Sequence, residues 1–155
     1  VKENLDQYLK TFKSNLVYAA DIFQELGVKV VFEAANIKDL PGFIIHKNEQ
    51  LIKVYEELKH PNVYFQYDIY HMHTMKEEYI NFIQKYANTI GHFQFADSPG
   101  RHEPGTGGID FENLFKVIDS SEYNGWVGAE YKPSVKTSES FDWFVPYQKN
   151  LNSKK

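Results

Sequence analysis

Four times in succession, a short run of β-branched and aromatic residues is followed by a stretch whose apolar residues recur every three or four positions. This alternation confines the chain to architectures built on a parallel sheet with right-handed helical crossovers. The runs are Val28 to Ala34, Val63 to Asp68, Gly91 to Asp97 and Trp126 to Tyr131. Ahead of the first lies an apolar helical stripe of Leu5, Leu9, Phe12, Leu16, Ala19 and Phe23, stopped by Gly27. Further helices are expected over Asn48 to Leu58, over Glu77 to Asn88 with Ile80, Ile83 and Ala87 inward, and near Phe111 to Ile118. A last helix is expected from Thr137, interrupted or ended by Pro146.

Two α/β architectures fit: an open doubly wound sheet, or part of a (β/α)8 TIM barrel. No Gly-x-Gly-x-x-Gly fingerprint opens any of the helices, which weighs against a dinucleotide-binding open sheet. The polar residues favour the barrel. Each run carries one near its C-terminal end, namely Glu33, Asp68, Gln94 and Glu130, at separations of 35, 26 and 36 residues. That rhythm is close to one βα unit, and it places one polar group per strand at a common barrel mouth.

Three carboxylates and an amide oxygen are hard ligands suited to Mg²⁺ or Mn²⁺. Their neighbours in sequence are apolar or aromatic, where a lone carboxylate is costly unless paired or bound to metal. Each residue also has an ordinary explanation. Glu33 can pair with a lysine, Asp68 can cap the following turn, Gln94 can bond neighbouring backbone, and Glu130 can pair with Lys132. The repetition over four consecutive units favours the shared site.

His71, three residues after Asp68, ranks first among the histidines, as a further ligand, a supporting partner or an acid-base group. His73 and His92 fit a structural role equally well, and His92 can face the outside of its strand; His46, His60 and His102 fall in loops or turns. The loop Ser98 to Gly108 holds four glycines and Arg101. Its backbone N–H groups are expected to face an anion, and Arg101 to grip a substrate carboxylate through its two-pronged guanidinium.

Composition narrows the classes. The net charge of -4 argues against general affinity for nucleic acid or anionic membrane. Without cysteine there is neither disulfide nor thiolate metal site, which fits a cytoplasmic setting. No apolar run approaches the roughly 20 residues a membrane helix needs.

Four segments carry a resemblance: Phe-Glu33-Ala-Ala-Asn36, Asp68-Ile-Tyr-His71, the long run from Gly91 through Gln94, Asp97 and Arg101 to Gly107, and Gly125-Trp-Val-Gly-Ala-Glu130-Tyr-Lys-Pro133. Together they resemble the hydroxypyruvate isomerase family of xylose isomerase-like barrels, over roughly Asn15 to Trp143. The resemblance implies that Glu33, Asp68, Gln94 and Glu130 coordinate a divalent metal, Mg²⁺ or Mn²⁺, and that Glu33 and Glu130 are also the catalytic pair. His71 and Arg101 are expected to bind substrate. The implied reaction interconverts hydroxypyruvate and tartronate semialdehyde, or isomerises a relative such as 2-oxotetronate, by proton transfer through an enediolate. Where members often carry glutamate after Gly-Thr-Gly, this chain has Gly108.

A whole member has eight strands, so residues 1–155 are expected to form the C-terminal half of one TIM-barrel domain, cut from a larger protein before Val1. Such a piece is expected to associate with itself or with a missing N-terminal half-barrel, and to be weakly active or inactive alone. A non-catalytic metabolite-binding barrel predicts binding without turnover. A metal-dependent nuclease fits less well, since its zinc clusters need more histidine ligands.

Overall fold

The strand Val63–Asp68 (β2) organises the sheet in the computed structural model, which describes residues 4–151. It pairs in parallel with Val30–Glu33 (β1) on one side and Ile90–Phe95 (β3) on the other. Val127–Ala129 (β4) adds in parallel to β3, so the order of strands follows the chain. This is the βα succession of a TIM barrel, present as four strands. Val1, the site of the expected cut, lies outside the described residues.

Alternation along each strand divides the sheet into two faces. Phe32, Val63, Phe65, Tyr67, Phe93 and Phe95 are buried against the helices. The helices are Leu5–Glu25 (α1), Asn48–Leu58 (α2), Ile69–Thr74 (α3), Tyr79–Tyr86 (α4), Phe111–Ser120 (α5) and Val145–Leu151 (α6). Phe65 is the hub of this layer, with its ring 5.7 Å from Phe32, 4.8 Å from Tyr55 and 5.6 Å from Phe82. The other face carries Val31, Glu33, Tyr64, Gln66, Asp68, His92 and Gln94. Gly91 is needed there, because a Cβ on it would come within 2.8 Å of Val31 and 2.9 Å of Tyr64.

Several expectations need correcting. The first and fourth strands are shorter than expected, and Glu130 lies one residue past the end of β4. Helix α3 follows β2 immediately, where no helix was read; Asp68 starts it by accepting from the Tyr70 amide at 2.8 Å. The expected helix over Glu77 to Asn88 is α4 plus a 3-10 turn at Ala87–Thr89. Thr137 opens only a 3-10 turn, and Pro146 sits in the first turn of α6, where a missing N–H costs nothing. Phe23 is exposed rather than part of the buried stripe, and Ala20 rather than Ala19 is fully buried.

Among the described residues, β1 and β4 are each paired along one edge only. Trp126, just before β4, is 86% exposed. No helix among them is long and apolar enough to cross a membrane.

Truncating the hub leaves a cavity that the sheet, held on both sides, cannot close. Phe65→Ala is therefore expected to cost about 3–5 kcal/mol by urea denaturation. Exposed Tyr18→Ala is expected to stay within about 0.5 kcal/mol, and equal losses for the two would contradict this core.

Candidate active site

Parallel register brings the strand ends together. Glu33 is level with Gln66, Asp68 with Gln94, and Gln94 with Gly128, two residues before Glu130. All four residues of the expected oxygen set therefore stand at the C-terminal end of the sheet. Ligating atoms of Glu33, Asp68 and His71 lie within 4.8 Å of one another. Glu130 joins through Arg101, whose Nη2 is 2.7 Å from Glu130 Oε2 and 3.7 Å from Asp68 Oδ2.

Burial is less uniform than the apolar neighbours in sequence imply. Of the three carboxylates in the set, only Asp68 is buried; Glu33 is half-buried, and the Glu130 side chain is 52% exposed. Their strands are the outer two of the sheet, which opens them to water. Asp68 bears the electrostatic strain. Burial pushes its carboxyl up to about 7, with the negative charges of Glu33 and Glu130 adding to the rise and the Tyr70 amide and Arg101 opposing it.

Gln94 stands on the same face, and its side-chain Oε1 is buried with no hydrogen-bond partner among the described residues. A buried amide oxygen left unbonded costs about 1–3 kcal/mol. Gln66, which sequence reasoning passed over, donates from Nε2 to Glu33 Oε2 at 3.0 Å. Its signal was parity, since it lies two residues before Asp68 on the same face. His92 obeys the same parity and shares the face of Gln94, not the outside of the strand. Gly128 leaves it room, since a Cβ there would lie 3.1 Å from His92 Nε2.

His71 is held by groups absent from the sequence reading. Asn36 Oδ1 accepts from the amides of Lys38 and Asp39, which fixes the orientation of its amide. Its Nδ2 donates to Asp39 Oδ2 at 2.9 Å and faces His71 Nδ1 at 2.8 Å, while the Asn36 backbone N–H reaches the same nitrogen at 3.3 Å. With two donors on Nδ1, that atom accepts and the ring proton sits on Nε2. Nε2 lies 3.6 Å from Asp68 Oδ2. In this tautomer His71 offers a proton to the oxygen cluster and has no lone pair for a metal, which sets aside its reading as a ligand. Burial, then the nearby charge of Arg101, pulls its pKa down to about 4, against a smaller opposing effect of Asp39.

The glycine loop is also reassigned. Its amides do face an anion, but the anion is the buried carboxylate of Asp97, which accepts from Ser98, Gly105, Gly107 and Ile109 at 2.8 to 3.1 Å. Gly107 has no room for a side chain, because a Cβ would strike Ser98 O and Asp97 Oδ1. Glu103 ties the loop to Ser134 through that residue's amide and hydroxyl. The result is a fixed mount for Arg101, which adopts φ 57°.

This fold and site define a barrel of parallel βα units with an oxygen-rich centre at its strand ends. Residues 1–147 match the family described as xylose isomerase-like TIM barrel, and the chain belongs to that family. It is 43% identical over 143 residues to hydroxypyruvate isomerase of Escherichia coli, covering 92% of this chain and 55% of that protein. It is 34% identical over 145 residues to 2-oxo-tetronate isomerase of Pectobacterium atrosepticum, covering 94% and 55%. The motif resemblance to hydroxypyruvate isomerases is thus borne out. The chain spans about half the length of the curated relatives it matches. A crystal structure described as AP endonuclease, family 2, from Brucella melitensis superposes with a TM-score of 0.85 at 37% identity, over 90% of this chain and 54% of that one. The 3-keto-D-glucoside 4-epimerase of Escherichia coli, at 21% identity, shares the fold with a TM-score of 0.78, over 96% and 55%.

The shifts of Asp68 and His71 oppose each other in stability. Between about pH 4 and 7 folding adds a proton to Asp68, which costs stability as pH rises; between 6.5 and about 4 it removes one from His71, which costs stability as pH falls. By ¹⁵N NMR, His71 is expected to remain the neutral Nε2–H form through pH 5. A midpoint near 6.5, or an Nδ1–H signal, would contradict the clamp.

Proposed function

We propose that this chain carries the metal centre and the catalytic pair of an isomerase acting on a small 2-oxo hydroxy acid, of the hydroxypyruvate or 2-oxotetronate type. The carrying observation is the buried, unbonded Gln94 Oε1, on a residue level with Asp68, whose own carboxyl is pushed toward neutrality. Such a set is unfavourable by itself and fits a hard divalent cation, Mg²⁺ or Mn²⁺, held by Glu33, Asp68, Gln94 and Glu130. When bound, that cation supplies a Lewis acid that draws off charge as a carbon-bound proton leaves. The names of the relatives in two isomerase groups support the substrate class.

The chain's own groups divide the remaining work. Glu33 and Glu130 come from the two outer strands and so flank Asp68 and Gln94. One takes the proton from the hydroxymethyl carbon, and the other delivers a proton to the neighbouring carbonyl carbon, while the hydroxyl proton passes between the two oxygens. Gln66 holds one oxygen of Glu33 and leaves the other free. His71 Nε2–H and Arg101 are donors for substrate oxygens, with Arg101 suited to the carboxylate. The open edges of β1 and β4 are to be closed by four further βα units, supplied by a longer polypeptide or a second copy.

In the longest polypeptide the gene encodes, Glu33→Gln and Glu130→Gln are each expected to lower kcat by roughly 10²–10⁴-fold with Mn²⁺ present. Product formed in ²H₂O should carry solvent deuterium at the new C–H bond. Two active variants would remove the assigned roles, and binding without turnover in wild type would favour a metabolite-binding barrel. A product without deuterium would favour hydride transfer.

Because the Asp68 carboxyl is raised to about 7, a cation must displace its proton below that pH and not above it. Mn²⁺ affinity is expected to fall by up to about tenfold per pH unit below 7, with matching proton release in calorimetry. Affinity independent of pH between 5.5 and 8 would contradict an Asp68 carboxyl that must lose a proton to bind the cation.

A further inference from the structure

We propose that Arg101 and the divalent cation compete for Glu130, so that loading the cation releases the guanidinium to take the substrate's carboxylate. This rests on the reading of Glu33, Asp68, Gln94 and Glu130 as a cation site. It adds an order of events that neither the oxygen set nor the relatives' names contain.

The geometry is that of a shared oxygen. Arg101 Nη2 donates to Glu130 Oε2 at 2.7 Å and stands 3.7 Å from Asp68 Oδ2, so one nitrogen faces two of the four oxygen donors. The guanidinium is always charged. A second, doubly charged ion drawn to the same oxygens must repel it, most strongly on the side of buried Asp68, 3.7 Å from Nη2. Arg101 is therefore an internal counter-ion that a cation has to move aside.

The loop lets the side chain move without the backbone. Lys132 N–H donates to Arg101 O at 2.7 Å, His102 Nδ1 lies 2.6 Å from Lys132 O, and Asp97 N–H donates to His102 O at 2.8 Å. Asp97 in turn gathers the loop's amides. The mount stays fixed while the side-chain torsions turn. The guanidinium already packs on Tyr70 while it bonds Glu130: Arg101 Cζ lies 5.1 Å from the centre of the ring, whose hydroxyl donates to Asp39 Oδ2 at 2.6 Å. Once released from Glu130, with Tyr70 still supporting its face, the guanidinium has both prongs free for a carboxylate. Cation and substrate anion then bind with positive coupling, the cation first.

Titration calorimetry with Mn²⁺ on the intact chain tests the competition. Arg101→Ala and Arg101→Met, the second keeping the side-chain stem over Tyr70, are expected to bind Mn²⁺ about tenfold more tightly than wild type. Lys132→Ala removes the same charge from an exposed neighbour and is expected to change affinity less than about twofold. In ¹⁵N NMR, Mg²⁺ should free the Arg101 Nη signals from their carboxylate-bonded state, and hydroxypyruvate should move them again only after Mg²⁺. Arginine variants that bind Mn²⁺ no tighter than wild type, a Lys132→Ala effect of equal size, or Nη signals unmoved by saturating Mg²⁺ would each overturn the proposal while leaving the cation site standing. So would Nη signals that hydroxypyruvate moves equally without Mg²⁺. Absence of Mn²⁺ binding in all of these proteins would instead remove the cation site, and the competition with it.

Discussion

Parallel register between β1, β2, β3 and β4 is the constraint from which the site follows. Because Glu33 is level with Gln66 and Asp68 with Gln94, side chains on one face of neighbouring strands meet at a single end of the sheet. A shift of one residue in any pairing would turn a member of the set into the aromatic layer around Phe65. The hydrophobic packing on one face thus determines where charge is concentrated on the other.

That concentration is only partly balanced by the protein. Glu33 has Gln66, Glu130 has Arg101, and Asp68 has the Tyr70 amide with Arg101 at a longer distance. Gln94 Oε1 has nothing among the described residues. His71 adds a neutral donor rather than a positive charge, because Asn36 saturates its other nitrogen. Two of the three carboxylates have a cationic contact and both contacts come from one arginine, so the centre is short of positive charge by design of its own residues.

Much of this was legible in the chain. The β-branched and aromatic runs located all four strands, since their residues suit a sheet buried against helices. The spacing of Glu33, Asp68, Gln94 and Glu130 identified the set, since one βα unit separates successive strand ends. Burial was misread: apolar neighbours in sequence surround Glu130, yet it emerges past the end of an outer strand into water. The anion facing the glycine loop was misassigned as well, because nothing local distinguishes an external ligand from Asp97 once the chain folds back on itself. The clamp of Asn36, Asp39 and Tyr70 joins two different βα units, and no single-sequence pattern records such a contact. Helix α3 was missed because six residues are too few to show a helical period.

The central claim is that four oxygens from four successive strand ends share one cation, and anomalous diffraction from crystals soaked in Mn²⁺ tests it most directly. One strong peak is expected about 2.1 Å from an oxygen of each of Glu33, Asp68, Gln94 and Glu130, with His71 Nε2 outside bonding distance. A peak ligated through His71, or no peak among these residues at saturating Mn²⁺, would contradict it.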